Sequence, residues 1–183
     1  MMRTSLSFFR SFAFVAACLL ALTGLVSAQT NTLTLEGYFT GKTFAYGKFR
    51  TITGTERRFK VDLTGTWDGR TLRLREDFFY DDGEKDTKTW IFRKTGPTTY
   101  KGTREDVLGE TTVKLYGDTA RFTYRVNLAG EDGQTIVRFF DTLKLRDDGA
   151  LINTARVTKF LFPVARVQVN FARTESQAEA IRP

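Results

Sequence analysis

The chain has 183 residues, with 28 Lys and Arg against 21 Asp and Glu, a formal charge of +7, no His and one Cys. This is one domain's length of ordinary globular composition, which excludes collagen-like, low-complexity and multidomain organisation. The lack of His excludes a His-based catalytic triad and a His-ligated metal built from this chain alone.

Residues 1–28 begin with Arg3 and Arg10, run apolar over 12–26 and end in Val26-Ser27-Ala28, whose small residues suit a signal peptidase. The pattern predicts a secretory signal cleaved near Ala28 and an exported protein, soluble in the periplasm or cell envelope. Val15-Ala16-Ala17-Cys18 supplies an alternative, since it has the form of a lipoprotein box that would anchor the chain through Cys18. Against it, mostly apolar residues follow Cys18 where a polar tether is usual. Cleavage after Ala28 removes the only thiol, and thiol redox chemistry with it.

Over 33–173 the apolar residues recur with period two, and the stretch is rich in Thr, Val, Phe and Tyr. Turn signals punctuate it at Thr53-Gly54, Asp68-Gly69, Asp82-Gly83, Gly96-Pro97, Gly109, Gly117-Asp118, Asp132-Gly133, Asp148-Gly149 and Phe162-Pro163. Alternating runs joined by Asp-Gly or similar pairs predict antiparallel hairpins. The runs predict strands near 37–52, 56–67, 70–80, 85–95, 98–106, 110–116, 119–129, 134–146, 150–160 and 163–173, with no segment of helical period.

Alternation also sorts the side chains by face. One face collects Val61, Leu63, Leu72, Leu74, Phe78, Trp90, Phe122, Tyr124, Val137, Phe139, Val167 and Phe171, while Arg58, Arg73, Arg75, Arg125, Arg138 and Arg166 fall on the other. An open sheet of this size would leave two long edges and one apolar face uncovered. The expected fold is therefore all-β, a single antiparallel meander closed into a calycin/lipocalin-like barrel of about ten strands, with a two-sheet β-sandwich as the alternative. The tail, 174–183, is expected to be disordered.

The order of residues resembles a bacterial exported family, domain of unknown function 3833. The elements that carry the resemblance are Phe39-x-Gly41, Leu74-x-Glu76-Asp77-Phe78, Asp82-Gly83-Glu84, Thr89-Trp90, Tyr100-x-Gly102-Thr103-x-x-Asp106-Val107-x-Gly109, Asp141 and Asn153-x-Ala155-x-x-x-Lys159-Phe160. It covers about 35–173 and implies a fold and an envelope location, without an activity. Asp141 is followed by Thr142-Leu143 where many members have a second acidic residue and an aromatic.

Three charged residues fall in register with apolar neighbours: Glu76, Asp141 and Lys159. Buried ions are costly unless paired, so these predict an internal cluster in which Lys159 neutralises the carboxylates and Asn153 and Tyr124 complete the hydrogen bonds. As a binding site, the cluster would hold the polar end of a small hydrophobic or amphipathic, lipid-like ligand, with Trp67, Trp90, Phe78 and Phe122 as its apolar wall. A Glu76/Asp141 catalytic pair is the enzymatic alternative. A ligand-free barrel acting through its basic face on an anionic membrane or a protein partner is the other. Nothing points to a cofactor, a metal or nucleic acid: residues 81–84 read as a hairpin turn, and Gly37, Gly41 and Gly47 do not form a phosphate loop.

Overall fold

The computed structural model describes residues 32–130 and 133–183, so the leader, Cys18 and Asp132 of one expected turn lie outside the described residues. The strands are β1 (Gly41–Thr51), β2 (Glu56–Trp67), β3 (Thr71–Tyr80), β4 (Lys85–Gly96), β5 (Thr99–Thr103), β6 (Thr111–Tyr116), β7 (Thr119–Gly130), β8 (Gly133–Leu145), β9 (Leu151–Lys159) and β10 (Phe162–Ala172). Each pairs antiparallel with the next, and β1 pairs with β10 from Phe44 opposite Ala172 to Thr51 opposite Ala165. The result is a closed barrel, and the sandwich alternative is excluded. Closure satisfies every edge and turns one apolar face inward.

The boundaries follow the turn chemistry. Gly54, Gly69, Gly83, Gly117 and Gly149 all take positive φ between strands, where L side chains are disfavoured. The last turn is the exception. It sits at Phe160-Leu161 instead of Phe162-Pro163, with Phe160 itself at φ 55° and Pro163 already in β10 beside a bulge.

Two short helices depart from the expected pattern. Residues 35–39, expected to begin the first strand, form α1 (Leu35–Phe39), capped by the Thr34 hydroxyl accepting from Gly37 N. It closes one end of the barrel, with Leu35, Tyr38 and Phe39 buried. Gly65 makes room for it, because a Cβ there would stand 1.8 Å from the Phe39 carbonyl oxygen. Glu36 fixes its outer side by accepting from Tyr100 Oη and Lys94 Nζ, each at 2.5 Å.

The expected disordered tail instead carries α2 (Glu175–Ala180). Thr174 caps it, Ala178 is fully buried, Ile181 O accepts from the Asn170 amide, and Arg182 lies 4.1 Å from the Tyr46 ring centre. Capping and one buried face hold a segment whose sequence alone is too short and polar to signal a helix.

Candidate functional site

Inward positions of the strands enclose a cavity of about 490 Å³. Leu35 and Phe39 of α1 form its floor, while Thr51, Arg57, Tyr80, Asp106 and Leu128 ring the opposite, open end. Small residues shape it: Gly47 sits opposite Phe59, whose ring occupies the space a Cβ would need at 2.2 Å. Aromatics panel one wall. Trp90 and Phe92 stack at 4.9 Å, Phe122 and Tyr124 at 5.5 Å, and Tyr124 and Phe139 at 5.2 Å.

A buried polar group stands on each side. On the β3–β4 side, Glu76 projects inward between Leu74 and Phe78. Its counter-ion is Arg104, from the β5–β6 connection, with Nη1 3.7 Å from Glu76 Oε2 and Nε 2.7 Å from Asp106 Oδ1. The guanidinium also lies 4.8 Å from the Trp90 ring centre and 5.7 Å from that of Tyr124. Lys88 completes the group, 3.3 Å from Asp106. The connection itself is pinned to β7: Leu108 N donates to Arg125 O, Asn127 N donates to Asp106 O, and Val107 bridges Val126.

On the β8–β9 side, Asp141 Oδ1 accepts from Asn153 Nδ2 at 2.7 Å. The Tyr124 hydroxyl approaches Asp141 without closing a hydrogen bond of ordinary geometry, so Asp141 Oδ2 stays unsatisfied. Glu76 Oε2 and Asn153 Oδ1 are likewise buried without a hydrogen-bond donor. Asn153 Oδ1 is an acceptor, and so are the two carboxyl oxygens when ionised.

Desolvation dominates the electrostatics. Burial pushes the Glu76 carboxyl up to about 7, although Arg104 opposes it. It pushes Asp141 up to about 6 against the hydrogen bond of Asn153 and the nearby Tyr124 hydroxyl. Asp106 goes the other way: burial raises it, but the hydrogen bond and charge of Arg104 hold it below the usual carboxylate range. Arg104 stays charged against its own desolvation, held by the charge of Glu76 and by the hydrogen bond and charge of Asp106.

Of the residues singled out from the sequence, Glu76, Asp141, Asn153, Tyr124, Trp90, Phe78 and Phe122 line this cavity. Lys159 does not. It has inward parity with Val157 but is the last residue of β9 and projects past the wall into solvent. Trp67 ends β2 opposite Leu72, packed against the core beyond the cavity. The internal cation is Arg104, which the period-two pattern missed because it stands off the strands. Its one sequence signal is Arg104-x-Asp106 within the Gly102 to Gly109 run.

A closed ten-stranded antiparallel barrel with a walled interior cavity is thus the class of this protein. The family described as "Protein of unknown function (DUF3833)" matches residues 12–173, and the chain belongs to it. No curated protein matches the chain in sequence. Among solved structures, the S-type phycobiliprotein lyase CPES from Guillardia theta is similar in fold, with a TM-score of 0.56 at 10% identity, over 78% of this chain and 94% of that one. A de novo designed fluorescence-activating β-barrel also matches, at 16% identity and a TM-score of 0.40, over 78% of this chain and 99% of that one.

Proposed function

We propose that this is an exported, non-enzymatic binding protein for a small amphipathic molecule of the cell envelope, lipid-like in its apolar body, and that export follows from the leader at 1–28. One observation carries the reading: an open-ended cavity of about 490 Å³ is walled by aromatic and aliphatic side chains and holds three buried acceptor atoms, Glu76 Oε2, Asp141 Oδ2 and Asn153 Oδ1, without donors. Its volume falls within the range of about 300–1,000 Å³ usual for small-molecule sites, as does the ratio of many apolar to few polar groups. Unsatisfied buried acceptors are uncommon in a finished core. A ligand bearing N–H or O–H donors satisfies the Asn153 carbonyl and both carboxyls in their ionised form, whereas a carboxylate head would add negative charge beside them.

The test is mass spectrometry of organic extracts from the protein isolated from its native host. A stoichiometric co-purifying molecule with an apolar body and a hydroxyl, amine or amide head is the expected result. Trp90 is the reporter for titrations, so Trp67→Phe keeps the fluorescence response and Trp90→Phe removes it. An empty extract, together with no saturable response to a panel of amphiphiles, overturns the proposal.

A further inference from the structure

The open end of the barrel carries the most exposed large apolar side chains among the described residues. Phe160, Leu161 and Phe162 form the β9–β10 tip and are 86%, 91% and 74% exposed. Ile52, 72% exposed, stands beside them, its N–H donating to Val164 O. A contiguous apolar projection of this kind is uncommon on a soluble surface and marks a contact site. The backbone adds a second sign. Phe160 occupies the left-handed region at φ 55°, where Gly or Asn would sit with less strain, so the tip keeps an aromatic at a conformational cost.

The outer wall behind the tip is basic. β9 and β10 contain no Asp or Glu, and the one acid of β7 and β8, Asp141, points inward. Outward on these strands stand Arg125 opposite Arg138, and Arg156 opposite Arg166, with Lys159 at the rim. Glu131 and Asp132 of the β7–β8 connection lie outside the described residues. An apolar wedge backed by arginines suits a surface with an apolar interior and negative headgroups, which is an anionic phospholipid bilayer. A protein partner would need a complementary pocket for three adjacent large side chains.

We infer that the barrel docks on anionic membrane by the β9–β10 side of its mouth, with Phe160, Leu161 and Phe162 entering the headgroup region, Arg156, Arg166 and Lys159 held against its charge, and the exposed acidic β3–β4 turn of Asp81, Asp82 and Glu84 tilted away from it. This inference rests on the tip and the wall, and stands whether or not the cavity holds cargo.

The experiment is co-sedimentation of protein isolated from cells expressing the whole chain, with vesicles of phosphatidylcholine alone and with about 30 mol % phosphatidylglycerol added. The wild type is expected to partition onto the anionic vesicles and to come off as salt rises. The triple variant Phe160→Ser, Leu161→Ser, Phe162→Ser loses about tenfold or more of that partition, with unchanged circular dichroism and thermal midpoint. Arg156→Gln with Arg166→Gln loses about fivefold per charge on anionic vesicles and nothing on neutral ones. Since all variants share one N-terminus, the differences belong to the tip and wall. No partition by the wild type, or a folded triple variant that partitions as well as the wild type, overturns the inference, whatever protein the tip is then found to bind.

Discussion

Glu76 makes the cavity pH-sensitive. Its folded pKa, about 7 against an ordinary 4.5, means that the folded chain holds this proton more tightly than the unfolded chain does. The resulting stabilisation is complete below the unfolded value and disappears as pH rises to about 7, an effect of about 3 kcal/mol if the full shift counts. Asp141, raised from 3.8 to about 6, acts with the same sign in an overlapping window. Urea denaturation of the ligand-free protein should show stability falling between about pH 5 and pH 8, and Glu76→Gln should flatten that slope and match or exceed the wild type at the upper end. A wild-type profile that rises over this range would contradict the buried, weakly compensated carboxyl. Arg104 is the counterpart. Replacing it with Met leaves Glu76 without its cation and Asp106 with Lys88 alone, and should cost about 3 kcal/mol, part of which Glu76→Gln restores in the double variant. Independent effects in that cycle would mean that the 3.7 Å approach contributes no coupling. The sequence exposed this site unevenly. Glu76 and Asp141 were legible because each interrupts an apolar period-two run, but parity alone could not tell that Lys159 lies beyond the end of its wall, or that a connection folds back to deliver Arg104.

Among the elements, α1 sets the depth of the cavity. It has too few residues to persist as an isolated helix, so it depends on what it touches: Gly65 beneath it, and Tyr100 and Lys94 holding Glu36. Gly65→Ala would drive a methyl group into the Phe39 carbonyl and should displace the helix, at about 1–3 kcal/mol. Limited proteolysis and hydrogen exchange over 32–40 would register the change, with the strands still protected. Glu36→Ala leaves the fully buried Tyr100 without the acceptor for its hydroxyl and should cost about 1–3 kcal/mol. Protection of 32–40 equal to the wild type in both variants would mean that the helix is held by its apolar face alone. Neither short helix was legible in advance. Leu33, Leu35 and Phe39 continue the spacing of an inward strand face, and only the Gly65 contact makes a plug of them. Apart from the first and fifth, the strands were legible to within about a residue at each end, because six of the connections between them carry a Gly at positive φ.

At the scale of the whole molecule, closure joins β1 to β10, some 120 positions apart in sequence, as in Gly47 opposite Val169. All other neighbouring strands are also neighbours in sequence. A barrel with such a non-local closure should refold in about milliseconds to seconds, with the β1–β10 pair forming late. Val169→Ala is then expected to speed unfolding while leaving the refolding rate nearly unchanged; slower refolding with unaltered unfolding would place closure early.

The plug at the floor has a kinetic corollary. Among the described residues, α1 blocks one end of the cavity and leaves the mouth as the door for a molecule held there. Whatever narrows that door without touching the bound molecule slows arrival and departure by one common factor, because both pass the same barrier. Obstruction of the mouth would therefore lengthen residence while leaving the equilibrium affinity where it was.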